Sequence, residues 1–332
     1  MKQISFAQAE HQNKKKITRR ERFLTQMDTL VPWQRLTDAL SPSYFPNSAG
    51  KRGRPPTGLE RMLRIYFLQQ WYALADEALE DAIYDSQAMR DFIGIDLAIE
   101  SVPDATTLLR FRHLLEKHAL TQRIFEEINA SLAEQGLFMR EGTIVDATIV
   151  AAAPSTKNKA RQRDPEMKQT RKGNQWFFGL KAHIGVDAVT GLTHSVAATS
   201  ANVADVTMAG HLVRDDDKRV YGDAGYTGMW KYLDEEKGDP DSRCWIAAKR
   251  GTLKKMDDSP RKTLLLEFEK IKASIRAKVE HPFHVIKSLF GYRKVRYKGL
   301  AKNQAQLLTL FALSNLVLAG RCRGHADGAR VS

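Results

Sequence analysis

The 332-residue sequence predicts an α/β protein, an all-helical first part followed by a part that mixes strands with helices. Three observations predict it. Apolar residues recur at i, i+3, i+4 and i+7 between Leu59 and Leu132, short β-branched apolar runs begin at Thr143, and two long helical stripes close the chain. With 42% hydrophobic and 27% charged residues, the chain has the apolar surface for a real core.

The elements follow in order. Leu59, Met62, Leu63, Tyr66, Phe67, Gln70, Trp71 and Leu74 make one helical face, and Thr57 with Glu60 three residues on reads as a capping box. A second helix carries Leu79, Ala82, Ile83, Met89, Phe92 and Ile93. Asp104 is the expected N-cap of a third with Leu108, Phe111, Leu114 and Leu115, and Thr121 opens a fourth that Gly136 ends. Thr143 to Val150 then reads as a buried strand, and Trp176 to Val186 and Leu192 to Thr199 as a hairpin around Asp187 to Gly191. Asp205 is expected to cap a helix reaching Val213, and short strands are expected at Arg219 to Tyr221 and Cys244 to Ala248. A long helix spans Lys262 to Phe290, and Asn303 to Ala319 closes the core. The expected organisation is a basic arm and first helix over 1–52, a helical domain over 53–138, a catalytic domain over 139–320 and a disordered tail over 321–332.

The formal charge is +13, the footprint of a polyanion binder. Split along the chain, it is uneven. Residues 1–25 carry +5, residues 59–142 carry −7, residues 157–181 carry +6, and residues 243–302 set seventeen Lys and Arg against five Asp and Glu. Phosphate contacts are the commonest reason for such a block. Cys244 and Cys322 make no disulfide framework and no C-x-x-C zinc pairing, which points to a reducing, cytoplasmic compartment. The N-terminus has no apolar leader, and no apolar run of about 18 residues is evident, so neither signal peptide nor membrane span is expected.

Three acids could carry chemistry. Asp146 interrupts an apolar strand, where an unpaired carboxylate is costly, so it must be hydrogen-bonded, paired or metal-bound. Asp223 follows a second apolar strand inside Tyr221-Gly222-Asp223-Ala224-Gly225-Tyr226. Arg276, Glu280 and Lys287, spaced 4 and 7, fall on one face of the long helix at 100° per residue. Each has an ordinary reading as a satisfied Asp, a turn-former and a surface ion pair. Together they offer the hard oxygens that two Mg²⁺ ions need for in-line phosphoryl transfer.

The stretches around these acids are Ile144-Val145-Asp146-Ala147-Thr148, Thr156-Lys157-Asn158, Asp164-Pro165-Glu166-Met167, Gly179 to Asp187, Asp223-Ala224-Gly225-Tyr226 and Arg276-x3-Glu280-x6-Lys287. As a set they resemble the bacterial insertion-sequence DDE transposases of the insertion sequence five family. Gly53 to Arg112 is similar to that family's N-terminal domain. The resemblance implies a ribonuclease-H-like catalytic domain, a mixed five-stranded sheet flanked by helices, preceded by the all-α domain. It implies Asp146, Asp223 and Glu280 as a triad binding two Mg²⁺ ions, with Mn²⁺ able to substitute, and Arg276 and Lys287 as DNA-positioning cations. The implied partners are double-stranded DNA, as terminal inverted repeats and as target, and a second copy in a homodimer or higher assembly; the implied location is cytoplasmic, at the nucleoid. The family's broader signature has Tyr three residues before the Arg, whereas this chain has Ala273, so that contact is not carried over.

Further DNA contacts are expected from Lys157, Lys172, Lys181, Arg52 and Arg54, although Arg52-Gly53-Arg54-Pro55 also reads as a plain linker. Lys14 to Arg22 is either an arm or a tail. Trp176, Phe177 and Phe178 are assigned to strand core ahead of base stacking, His281 to a local hydrogen bond, and Asp187 and Asp205 to turn and cap. Arg110 and Arg112 are the expected DNA-facing arginines of the helical domain. A metal nuclease without strand transfer and a non-catalytic DNA-binding repressor remain alternatives.

Overall fold

The computed structural model describes residues 14–44, 56–157, 159, 161–233 and 243–328. The chain divides into two compact units, Met1–Ser131 with Gly320–Ser332, and Leu132–Ala319. Arg52 and Arg54 lie outside the described residues, as does Asn158.

The first unit is helical: α1 (Arg19–Leu30), α2 (Trp33–Leu40), α3 (Leu59–Tyr72), α4 (Asp76–Asp85), α5 (Gln87–Ile93), α6 (Ala105–Lys117) and the start of α7 (Leu120–Glu134). The basic segment Lys14 to Arg22 is helical from Arg19, because Thr18 and Glu21 form a capping box: Thr18 Oγ1 accepts from the Glu21 N–H at 3.2 Å and Glu21 Oε2 from the Thr18 N–H at 3.3 Å. The box expected at Thr57 and Glu60 does not form. Gly58 is the N-cap of α3 without a side-chain bond, and Glu60 instead pairs with Arg64. The expected second helix is two helices, broken at Ser86, which turns to extended backbone and caps α5 by accepting the Met89 N–H. Asp104 caps α6 as expected, accepting the Thr107 N–H at 2.6 Å. In the core Phe67 and Phe92 meet Trp71 edge-on, Phe92 also meets Trp33 edge-on and Trp33 lies tilted on Phe67, with the Arg64 guanidinium 4.1 Å over Trp33. Arg112 is buried, not DNA-facing, and its fork is spent on Asp76.

The second unit holds one six-stranded sheet of β1 (Thr143–Ala151), β2 (Lys168–Lys172), β3 (Gln175–Asp187), β4 (Thr193–Ser200), β5 (Val220–Gly222) and β6 (Cys244–Ile246). The strands run β2-β3-β1-β5-β6, with β4 also paired to β3. β3 is antiparallel to β1, β2 and β4, whereas β1, β5 and β6 are parallel. Five strands were expected; β2 is the sixth, hidden in the sequence because its residues are polar and four of the five are exposed. Val145, Val220, Leu212, Met229 and Tyr226 pack one core beneath the sheet.

The helices of this unit are α8 (Ala209–Leu212), α9 (Arg250–Lys254), α10 (Pro260–Arg276), α11 (Glu280–His284) and α12 (Leu300–Gly328) as far as Ala319. The single long helix expected from Lys262 to Phe290 is therefore interrupted. A 3₁₀ turn at Ala277–Val279 separates α10 from α11, and a π segment follows at Val285–Leu289. Asp205 opens a 3₁₀ turn without capping it and pairs with Lys181 instead. α12 continues past Ala319 to Gly328, so residues 321–328 are helical and not a disordered tail. Its Leu300–Cys322 stretch is, against expectation, long and apolar enough by composition to cross a membrane, with a mean hydropathy of 1.4. Since 83% of that window is buried inside the protein, it serves as a core helix.

Candidate active site

Asp146 sits mid-strand on β1, with Ile184 of β3 as its antiparallel partner. The parallel register of β1 and β5 pairs Ile144 with Tyr221, and two residues further along both chains come Asp146 and Asp223. Asp146 therefore lies within β1 and Asp223 just past the end of β5, at neighbouring positions of adjacent parallel strands. Asp146 Oδ1 accepts the Ala147 N–H at 2.7 Å, and Asp223 Oδ1 accepts the Gly225 N–H at 2.8 Å. A Cβ on Gly225 would meet that Asp223 oxygen at 2.9 Å, so the tight Asp-Ala-Gly turn favours glycine there. Neither carboxylate's second oxygen has a hydrogen bond among the described residues.

Glu280 opens α11 and is exposed. Its charge reaches Asp146. Burial, then Asp223 and Glu280, push the Asp146 carboxyl up to about 6, against the Ala147 N–H and the Arg276 guanidinium. Burial and the charges of Asp146, Asp205 and Asp223 likewise drive the Tyr226 phenol upward, so it stays protonated beside both aspartates. Lys287 donates to Thr148 Oγ1 at 2.5 Å and to the Ile149 carbonyl at 3.1 Å, tying the π segment to β1. Burial and Lys172 lower its pKa, and Glu280 opposes them. The helical stripe of Arg276, Glu280 and Lys287 thus faces the aspartates, but through a broken helix wrapped over β1 and not by the 100° spacing.

The remaining expected residues fall in different places. Lys181 is pinned, 2.9 Å from Asp205 and donating to the Val203 carbonyl at 2.7 Å. Lys157 and Lys172 are exposed. His281 is exposed with no hydrogen bond among the described residues, so the local bond expected for it is not seen. Trp176 is 66% exposed, which removes it from the strand core.

Sequence reasoning missed the frame behind the acids. Asp187 and Asp217 are buried side by side. The Arg214 guanidinium donates to Asp187 at 3.2 Å, to Asp217 at 2.9 Å and to the Gly142 carbonyl at 3.2 Å, while Thr143 donates to Asp217. Burial alone would raise the Asp187 carboxyl; the N–H groups of Thr190, Arg140 and Val189 and the Arg214 charge outweigh it and hold the carboxyl below its ordinary value. Asp187 thus fills the turn role expected of it, and the network locks the start of β1 against the end of β3.

Residues 137–316 match the family model of the transposase DDE domain, and residues 11–114 match a transposase domain of the type numbered DUF772. The chain belongs to the DDE transposases. Its second unit is accordingly the ribonuclease-H-like domain of that family, following a helical N-terminal region. No solved structure matches the chain. The family binds DNA and uses divalent metal ions. The donor chemistry here suits such an ion, since Asp223 and Glu280 offer hard carboxylate oxygens that both act on the Asp146 carboxyl. Among the described residues, no three His, Cys, Asp or Glu side chains are gathered closely enough to hold an ion by themselves.

Proposed function

We propose that this transposase binds the terminal inverted repeats of its own insertion sequence, cuts the element ends and joins them to double-stranded target DNA, within the insertion sequence five branch of the family. The observation that carries the reading is electrostatic: Asp223 and Glu280, from separate elements, both act on Asp146. Asp146, Asp223 and Glu280 would hold two Mg²⁺ or Mn²⁺ ions, which supply activation of the attacking oxygen and neutralisation at the leaving one. The chain's own residues do the rest. The half-buried aspartates sit on and just past adjacent strands, and Glu280 is exposed at a helix start. Arg276 adds positive charge beside Asp146 for the scissile phosphate, and Lys287 ties down β1 through Thr148, on the strand face of Asp146.

Lys157 and Lys172 are the open phosphate contacts of this reading, Lys181 acts from inside the fold, and Arg52 and Arg54 join the set on sequence alone. Two ends require two active sites, so the working form is a homodimer or larger, acting on chromosomal DNA in the cytoplasm. The test is cleavage and joining of DNA carrying the element's ends. Asp146→Asn and Glu280→Gln should each cut cleavage about a hundredfold or more while end binding persists. Undiminished cleavage would remove the triad, and nicked DNA without joined product would make the protein a nuclease.

A further inference from the structure

The β2–β3 hairpin of the second unit is built unlike the rest of the sheet. Lys168–Lys172 pairs with Gln175–Gly179 around a two-residue turn in which Gly173 takes φ 61°. Beyond Gly179 the sheet is buried; before it the hairpin stands in solvent, with Lys168, Arg171, Lys172 and Trp176 all exposed. Trp176 lies opposite Arg171 in the register, so both occupy one face. A tryptophan left 66% exposed forgoes the burial that makes it useful to a core.

The ribbon's positive charge is not neutralised within the fold. Among the described residues, Lys157, Lys168, Arg171 and Lys172 form no ion pair. Asp164 and Glu166 are the only acids between Lys157 and Lys181 in the sequence, and both are engaged elsewhere. Asp164 Oδ2 accepts the Gly299 N–H at 2.7 Å and Glu166 accepts the Leu300 N–H, so both carboxylates are spent on the start of α12. The hairpin runs on beyond the end of β1: Gly179 pairs with Ala151, and Trp176 lies eight residues from Ile184, the partner of Asp146, about 26 Å along the strand.

Resting on the reading of this chain as a DNA transposase, we infer that the Lys168–Gly179 hairpin is a DNA-gripping ribbon. Its cations take backbone phosphates, and Trp176 stacks on an unpaired base of the same DNA. Arg171 shares the face of Trp176, and Lys168 and Lys172 alternate to the other face, so the ribbon offers phosphate contacts on both sides of one bare aromatic, a combination that binds single-stranded nucleic acid with little sequence preference. A duplex offers the cations the same phosphates but no free base face, which makes the two contributions separable.

The experiment uses the full chain with two probes, an oligo-dT strand of about a dozen nucleotides and a blunt duplex of arbitrary sequence. Trp176→Ala should weaken the oligo-dT complex about tenfold and the duplex complex less than about twofold. Trp176→Phe should recover most of the oligo-dT affinity while losing the quenching of tryptophan fluorescence that oligo-dT produces in the unaltered chain. Lys168→Ala with Lys172→Ala should weaken both complexes and lower the salt slope by about two. Equal oligo-dT affinity for Trp176→Ala and the unaltered chain would overturn the stacking role. An unchanged salt slope in the double lysine variant would overturn the phosphate role. If the unaltered chain binds neither probe, the DNA-transposase reading fails with it, an outcome distinct from loss in the variants alone.

Discussion

Arg214 shows what one side chain can decide. It is the counter-charge for two carboxylates, Asp187 and Asp217, that are no more than 1% exposed. Removing one partner of a buried ion pair leaves the other charge uncompensated. Arg214→Ala should therefore cost about 3–5 kcal/mol in a urea titration, with cleavage lost alongside, because the same guanidinium holds Gly142 at the entry to β1. A loss below about 1 kcal/mol would mean the register of β1 is held by backbone pairing alone. Asp146 and Asp223 were legible in the sequence because a carboxylate in or just after an apolar run contradicts the pattern around it. Arg214 was not: an Arg before an acidic stretch looks like any surface cation until its partners 27 and 72 residues away are folded against it.

At the scale of elements, the interrupted helix from Pro260 to Leu289 matters most. A regular helix would have set Arg276, Glu280 and Lys287 on one line, whereas the 3₁₀ turn and π segment change the residues per turn twice between them. Their convergence on β1 is a property of packing, and periodicity could not report it. The start of α12 makes the same point with a measurable cost. Gly299 and Leu300 donate to Asp164 and Glu166, which are more than a hundred residues earlier in the chain. Asp164→Ala and Glu166→Ala should each cost about 1 kcal/mol of stability by chemical denaturation, the worth of a helix cap. Loss of cleavage without that loss of stability would instead place these acids in the chemistry. The Asp-Pro-Glu-Met stretch had stood out in the sequence without a role; folding supplies a cap.

Over the whole molecule, stability should depend on pH through two histidines packed in the sheet. Desolvation pushes His183 down to about 4, with Asp205 opposing and Lys181 assisting, and pushes His194 down to about 3. Both folded values lie below the ordinary 6.5, so on acidification the unfolded chain takes up protons first. Their contribution is complete above about 6.5 and is lost as pH falls toward 4 and then 3. Asp146, raised from 3.8 to about 6, works in the opposite sense over its own window. His194→Gln isolates the histidine: its urea midpoint should fall less than the unaltered protein's between about pH 7.5 and about pH 5, and equal falls would refute the assignment. The division into a helical part and a mixed sheet and the position of most strands followed from the sequence alone, because periodicity is a local signal, and the three candidate acids were also named from it. The caps on α12 and the use of Arg112 and Lys181 inside the fold came only from tertiary structure, because each depends on a partner far along the chain, whereas the sixth strand and the helix breaks are local but carry no apolar period to announce them. The +13 charge divides on the same line: sequence located its blocks, and the folded chain shows which cations are already paired and which remain open to phosphate.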